Sequence, residues 1–156
     1  MRSRIIGNLN KIDLISDLVV ISDESTERTD DKRRIIKGVF KFKSATLGFL
    51  ESAGADSSLV IFKLNFEFLI NKKISELEIL KIIDAFNATT PLIKTKYAGN
   101  EAKKTNVTFI QDIMIHGDVD TTDLLLSHLS ILSFAPILFS KALNENNFPH
   151  RSVTEG

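Results

Sequence analysis

The sequence predicts an α+β fold: one five-stranded antiparallel sheet with helices packed on it, in the order helix, three strands, helix, two strands, helix. Two patterns carry that prediction. Apolar residues alternate with polar ones from Ile36 to Ile70, as they do when one face of a sheet is wet and the other buried. A helical spacing of apolar residues then follows a capping box at Ser75, and a long apolar segment from Leu124 to Leu143 closes the chain.

Taken in order, residues 5–21 place Ile5, Leu9, Ile12 and Val19 at spacings that suit an N-terminal helix, although Val19-Val20-Ile21 could equally begin a strand. Residues 22–34 are polar, acidic first and basic after, and read as a solvated linker. Ile36, Gly38, Phe40 and Phe42 then alternate with Lys37, Val39, Lys41 and Lys43. Leu47 and Phe49 continue the pattern up to a turn at Gly54 to Ser58. The clearest strand follows, with Val60, Phe62, Leu64, Phe66, Phe68 and Ile70 on one face and Ile61, Lys63, Asn65 and Glu67 on the other.

Ser75 with Glu78 three residues on opens a helix whose Ile79, Ile82, Ile83 and Phe86 share a face, and Pro91 ends it. A fourth strand is expected over 92–97, a polar turn over 99–105 and a fifth strand over 107–115. Asp120 or Thr121 caps the last helix. Pro136 removes a helical hydrogen bond there, which predicts a kink or break near Ser133. The tail from Asn144 is polar and expected to fray. The whole is expected to form a single domain, 1–156, with its core fold over 35–143, a linker over 22–34 and a flexible tail over 144–156.

Composition narrows the function classes. The chain has 156 residues, 20 basic and 20 acidic, with no cysteine. Cancelling charges give no field for nucleic-acid binding. Without cysteine there is no disulfide framework and no thiol chemistry, so the cytoplasm is the expected compartment, and the interrupted apolar N-terminus does not read as a signal peptide. Eleven Phe against one Tyr and no Trp point to a core use of aromatics. Phe40-Lys41-Phe42-Lys43 superficially suggests a base-stacking sheet, yet period two puts the rings and the cations on opposite faces.

The clustered ligand-type residues are Asp112, His116, Asp118, Asp120 and Asp123. An oxygen-rich loop can hold calcium or magnesium, and His116 beside an Asp could serve as an acid–base pair, so the alternative function is a small metal-binding or hydrolytic protein using loop 112–123. The spacing lacks the central Gly and closing Glu of a calcium loop, while Gly117-Asp118 makes a turn and Asp120 a helix cap without an ion. No metal, no cofactor and no catalytic residue are therefore expected. Asn87-Ala88-Thr89 and Asn106-Val107-Thr108 match glycosylation acceptors, a pattern that carries no weight without export.

The element order, the capped helix ending in Phe86-Asn87 with Pro91-Leu92 four residues later, and the Gly117 turn into a Thr/Asp-capped apolar helix together resemble the YbjN-like family. The likeness runs over about residues 35–143 and extends more distantly to the type III secretion chaperone-like fold. The resemblance implies a bacterial, non-enzymatic protein-binding module, a homodimer that binds segments of client proteins or modulates a secretion or surface process. An all-round apolar last helix must be covered on more than one side. The partner or dimer surface is expected at Leu125, Leu129, Leu132 and Phe139, with no membrane insertion and no nucleic acid.

Overall fold

The structure is a computed structural model that describes residues 1–28, 31–70, 73–101, 103–148 and 150–152. It is α+β, with an antiparallel sheet and three helices. Among the described residues the sheet has seven strands where five were expected. The strands are β1 (Ile15–Arg28), β2 (Asp31–Phe42), β3 (Ala45–Ala53), β4 (Ser57–Ile70), β5 (Lys94–Glu101), β6 (Lys104–His116) and β7 (His150–Ser152), and the helices are α1 (Ile6–Leu9), α2 (Glu76–Thr89) and α3 (Thr122–Glu145). Six strands follow the order β1-β2-β3-β4-β6-β5, and β7 pairs with β4.

The N-terminal third departs most from expectation. The predicted helix over 5–21 shrinks to the four residues of α1, and the predicted linker over 22–34 is a hairpin. Ile5, Leu9 and Ile12 are buried as a helical spacing requires. Beyond them the backbone turns to strand where Lys43 N–H donates to the Leu14 carbonyl at 2.9 Å. From there β1 pairs with β2 from Ile15 against Phe42 to Arg28 against Asp31. Ile15, Val19, Val20 and Ile21 are β-branched, and pairing with a strand partner overrides a helical spacing only a few residues long. Charge misled the linker reading, because a hairpin solvated on both faces carries as many charges as a loop. Asp23 holds Arg34 across it at 2.7 and 2.5 Å. Asp30, also read as linker, lies outside the described residues.

Two compact units make up the chain. The first comprises residues 1–63 and 112–130. Here β2, β3 and the start of β4 form consecutive antiparallel pairs, and the predicted alternation holds: Ile36, Phe40, Phe42, Leu47, Phe49, Val60 and Phe62 are all buried. Gly38 sits opposite Phe49. A Cβ there would overlap the Phe49 ring and the Val19 carbonyl, so glycine is what lets the ring lie across β2. Phe40 meets Phe49 at 6.1 Å and Phe62 edge-on at 6.0 Å.

The second unit comprises residues 64–111 and 131–156. Its α2 starts as predicted: Ser75 Oγ accepts from Glu78 N at 3.2 Å, and the Glu78 carboxylate accepts from Ser75 N at 2.8 Å. The bond from Ser75 N is the first cause that lowers the pKa of the Glu78 carboxyl. Ile79, Ile82, Ile83 and Phe86 are its buried face. The core of the unit converges on Phe139, whose ring lies 5.4 Å from Phe68, 5.3 Å from Phe86 and 5.8 Å from Phe109. Phe66, predicted to share the buried face of β4, is only half-buried, its ring 4.9 Å from that of Phe68.

The C-terminal third departs from expectation in two places. Helix α3 runs unbroken through Pro136, with buried Leu132, Ala135, Phe139 and Leu143 anchoring it on both sides of the missing hydrogen bond. The tail does not fray at Asn144. His150 to Ser152 pair with Phe68 to Ile70, and the His150 ring lies 5.5 Å from Phe68. The segment carries its own anchor, because Ser140 Oγ lies 2.5 Å from His150 Nε2. Residues 153–156 lie outside the described ones.

Candidate functional site

The loop from Asp112 to Asp123 belongs to the first unit. Strand β6 alternates up to its end, so Ile113 and Ile115 are buried while Asp112 and His116 face outward. Gly117 takes φ +70°, which turns the chain, and its N–H donates to the Asp56 carbonyl at 2.8 Å. Asp118 then meets Arg4 Nε at 3.5 Å and Arg2 Nε at 3.9 Å. Asp120 Oδ1 accepts from Thr122 N at 2.9 Å and Thr122 Oγ1 at 2.6 Å, and its Oδ2 pairs with Lys11 Nζ at 3.0 Å. The Thr122 bonds first, and Lys11 after them, hold the Asp120 carboxyl far below the usual carboxylate range. Thr121 caps the helix in parallel, its carbonyl accepting the first helical N–H from Leu125 at 2.8 Å.

Each acidic residue of the turn thus has a structural task, one as an ion-pair partner and one as a cap. Among the described residues no group of three or more His, Asp or Glu is placed to hold a metal ion. Asp118 and Asp120 do line a cavity of about 380 Å³ together with Arg2, Arg4, Asn8 and Lys11. His116 is not part of it. The cations Arg2, Arg4 and Lys11 face these carboxylates and pair with them.

What lies beneath that cavity was not legible as a site. Arg4 is almost fully buried and spends its guanidinium on backbone: Nε donates to Gly117 O at 2.9 Å, Nη1 to Gly54 O at 3.0 Å, and Nη2 to Ala55 O at 2.7 Å. Glu51, fully buried, accepts from Arg4 N at 2.7 Å, Ser3 Oγ at 2.5 Å and Ser58 Oγ at 2.8 Å. This network fastens the N-terminal segment to the 54–58 turn and leaves both charges satisfied. The signal available in the sequence was one carboxylate inside the otherwise apolar and small stretch 45–53.

The expected partner surface is the main correction. Leu125, Leu129, Leu132 and Phe139 are all fully buried within the chain and unavailable to a partner. With Leu143 they form one stripe at helical spacing, and that stripe is the face α3 turns inward. The exposed apolar residues are others. On α3 they are Phe134, Ile137 and Leu138, at 55, 64 and 44% exposure, with Leu124 exposed on the part of the helix that belongs to the first unit, while Leu77, Leu80 and Leu92 are exposed elsewhere in the second unit. By length and composition α3 could cross a membrane, and 33% of its apolar window is buried inside the chain. His128 on the same helix is partly buried, which pushes its pKa down and favours the neutral ring.

No family profile and no curated protein matches this chain. Among solved structures it is similar to YbjN from E. coli, a proposed transcription regulator. The identity is 8%, the match covers 81% of this chain and 84% of that one, and the TM-score is 0.37. The name coincides with the family that the sequence resembles, but a likeness at that TM-score carries no functional argument.

Proposed function

We propose that this chain is a non-enzymatic protein-binding module that pairs with a second copy of itself through the outer face of α3 and takes up segments of client proteins. The observation that carries the reading is the trio Phe134, Ile137 and Leu138, exposed on a helix whose opposite face is already spent on the core. Covering a side chain of this kind contributes about 1.5–3 kcal/mol, and a two-fold interface covers each residue twice. The employment of Asp118 and Asp120 in pairing and capping supports a binding role over hydrolysis at the 112–123 loop. A cysteine-free chain suits the cytoplasm, and the resemblance supplies a bacterial secretion or surface process as the setting.

Sedimentation velocity over a range of micromolar concentrations tests it. Native protein should report two subunits, and Ile137→Glu one, with the far-UV circular dichroism unchanged because the residue is outside the core of the subunit. A native monomer at every concentration would overturn the reading. So would a native monomer that floats with lipid vesicles, which would give the α3 face to a bilayer.

A further inference from the structure

The two outer strands of the sheet are treated differently. Strand β5 is sealed at Thr95, whose N–H donates to Asn87 Oδ1 at 2.8 Å while its carbonyl accepts from Asn87 Nδ2 at 3.0 Å. A side-chain amide from α2 therefore occupies the backbone groups that an added strand would use. Strand β1 has no such cover. It is the end strand of the order, 14 residues long, and among the described residues its ladder partner is β2 alone. Its middle carries Val19, Val20 and Ile21 at 53, 41 and 68% exposure, three consecutive β-branched residues that therefore lie open on both faces. One register shift precedes that stretch, between Ser16 and Val19, and a second falls within it at Ile21, between Val20 and Ser22, while the outer half runs in unbroken register from Ser22 to Arg28.

We infer that the free edge of β1 is a docking site for an extended segment of another protein in which Lys or Arg alternates with β-branched residues, added to the sheet as a further strand. Charge selects the occupant. Residues 13–26 hold four carboxylates, Asp13, Asp17, Asp23 and Glu24, and no cation. Asp17 and Asp23 are partly neutralised by Lys41 and Arg34, whereas Asp13 and Glu24 have no partner among the described residues. An acid–apolar–acid strand is complemented by a basic segment with an apolar centre, backbone hydrogen bonds giving affinity and alternate side chains specificity. A second copy fits poorly. Antiparallel self-pairing centred on Val20 sets Asp17 against Asp23, with no cation in the stretch to relieve it. The inference rests on the protein-binding reading but uses no residue of α3.

The probe is a fluorescein-labelled eight-residue peptide alternating Lys with Val and Ile, compared with its Glu-for-Lys counterpart, with anisotropy and amide hydrogen exchange as readouts. Both run on native protein and on Ile137→Glu. The Lys peptide should bind at least tenfold tighter than the Glu peptide and slow exchange within residues 15–28. Ile21→Lys and Glu24→Lys should each weaken it at least fivefold without moving the melting temperature, both residues being exposed. Equal binding of the two peptides, indifference to both substitutions, or protection confined to α3 would overturn the inference. Concentration-dependent protection of β1 without peptide would overturn it too, by assigning the edge to a second copy. Binding that persists in Ile137→Glu separates this site from the α3 face, so either can fail alone.

Discussion

Replacing Phe139 by Ala tests which face of α3 is core. The ring is fully buried and meets three other rings at 5.3–5.8 Å. A buried Phe→Ala change costs about 3–5 kcal/mol. Two features of the site place this one in the upper half. The neighbouring rings come from β4, α2 and β6, so collapse into the cavity would have to move three elements at once. Each lost ring pair adds roughly 0.5–1.5 kcal/mol beyond its area. We expect about 4–5 kcal/mol for Phe139→Ala in urea titration, and below ~1.5 kcal/mol for Phe139→Leu, which refills most of the volume. Within the monomer, at protein concentrations too low for pairing, Ile137→Ala, two residues away on the exposed side, should stay within about 0.5 kcal/mol. A loss below ~1.5 kcal/mol for Phe139→Ala, or an equal loss for Ile137→Ala, would mean that the inward stripe has been misassigned.

Individual contacts set three further outcomes. Gly38→Ala should cost ~1–3 kcal/mol by urea titration, since its methyl overlaps the Phe49 ring and the Val19 carbonyl; a neutral result would show that β1 or the ring yields freely. Gln111 is buried with neither amide atom partnered among the described residues. Gln111→Met should therefore raise stability by ~1 kcal/mol, and a loss would reveal a water-mediated partner. Asp120→Ala should lower the melting temperature at neutral pH. A carboxyl whose folded pKa lies below its unfolded one stabilises above the unfolded value and loses that contribution as pH falls through the folded one. The deficit should accordingly narrow as pH drops below about 4, and a pH-independent deficit would assign the effect to packing.

The sequence was most readable where local chemistry and tertiary packing agree. The capping box at Ser75, the buried face of α2 and the alternation along β2 and most of β4 all appear as the periodicities require. Its failures have identifiable causes. Residues 15–28 carry an apolar spacing short enough to suit either period, and the choice was made by a hairpin partner that local pattern does not reveal. His150 docks through a bond to Ser140 and a ring contact with Phe68, neither of which has a signature in a polar tail. Along α3 both faces are apolar, so composition did not show which stripe faces inward. The Arg4–Glu51 network was invisible for a related reason: its partners are 47 residues apart and three of its acceptors are backbone carbonyls.

The absence of cysteine makes the central claim directly measurable. Lys141 lies one helical turn beyond Ile137 and is solvent-exposed, so Lys141→Cys places a single spin label at the rim of the proposed α3 interface without touching its apolar centre. Pulsed electron paramagnetic resonance on this variant should show one short inter-label distance whose amplitude grows with protein concentration and vanishes when Ile137→Glu is added. A label showing no inter-copy coupling at any concentration, or coupling that survives Ile137→Glu, would contradict the account.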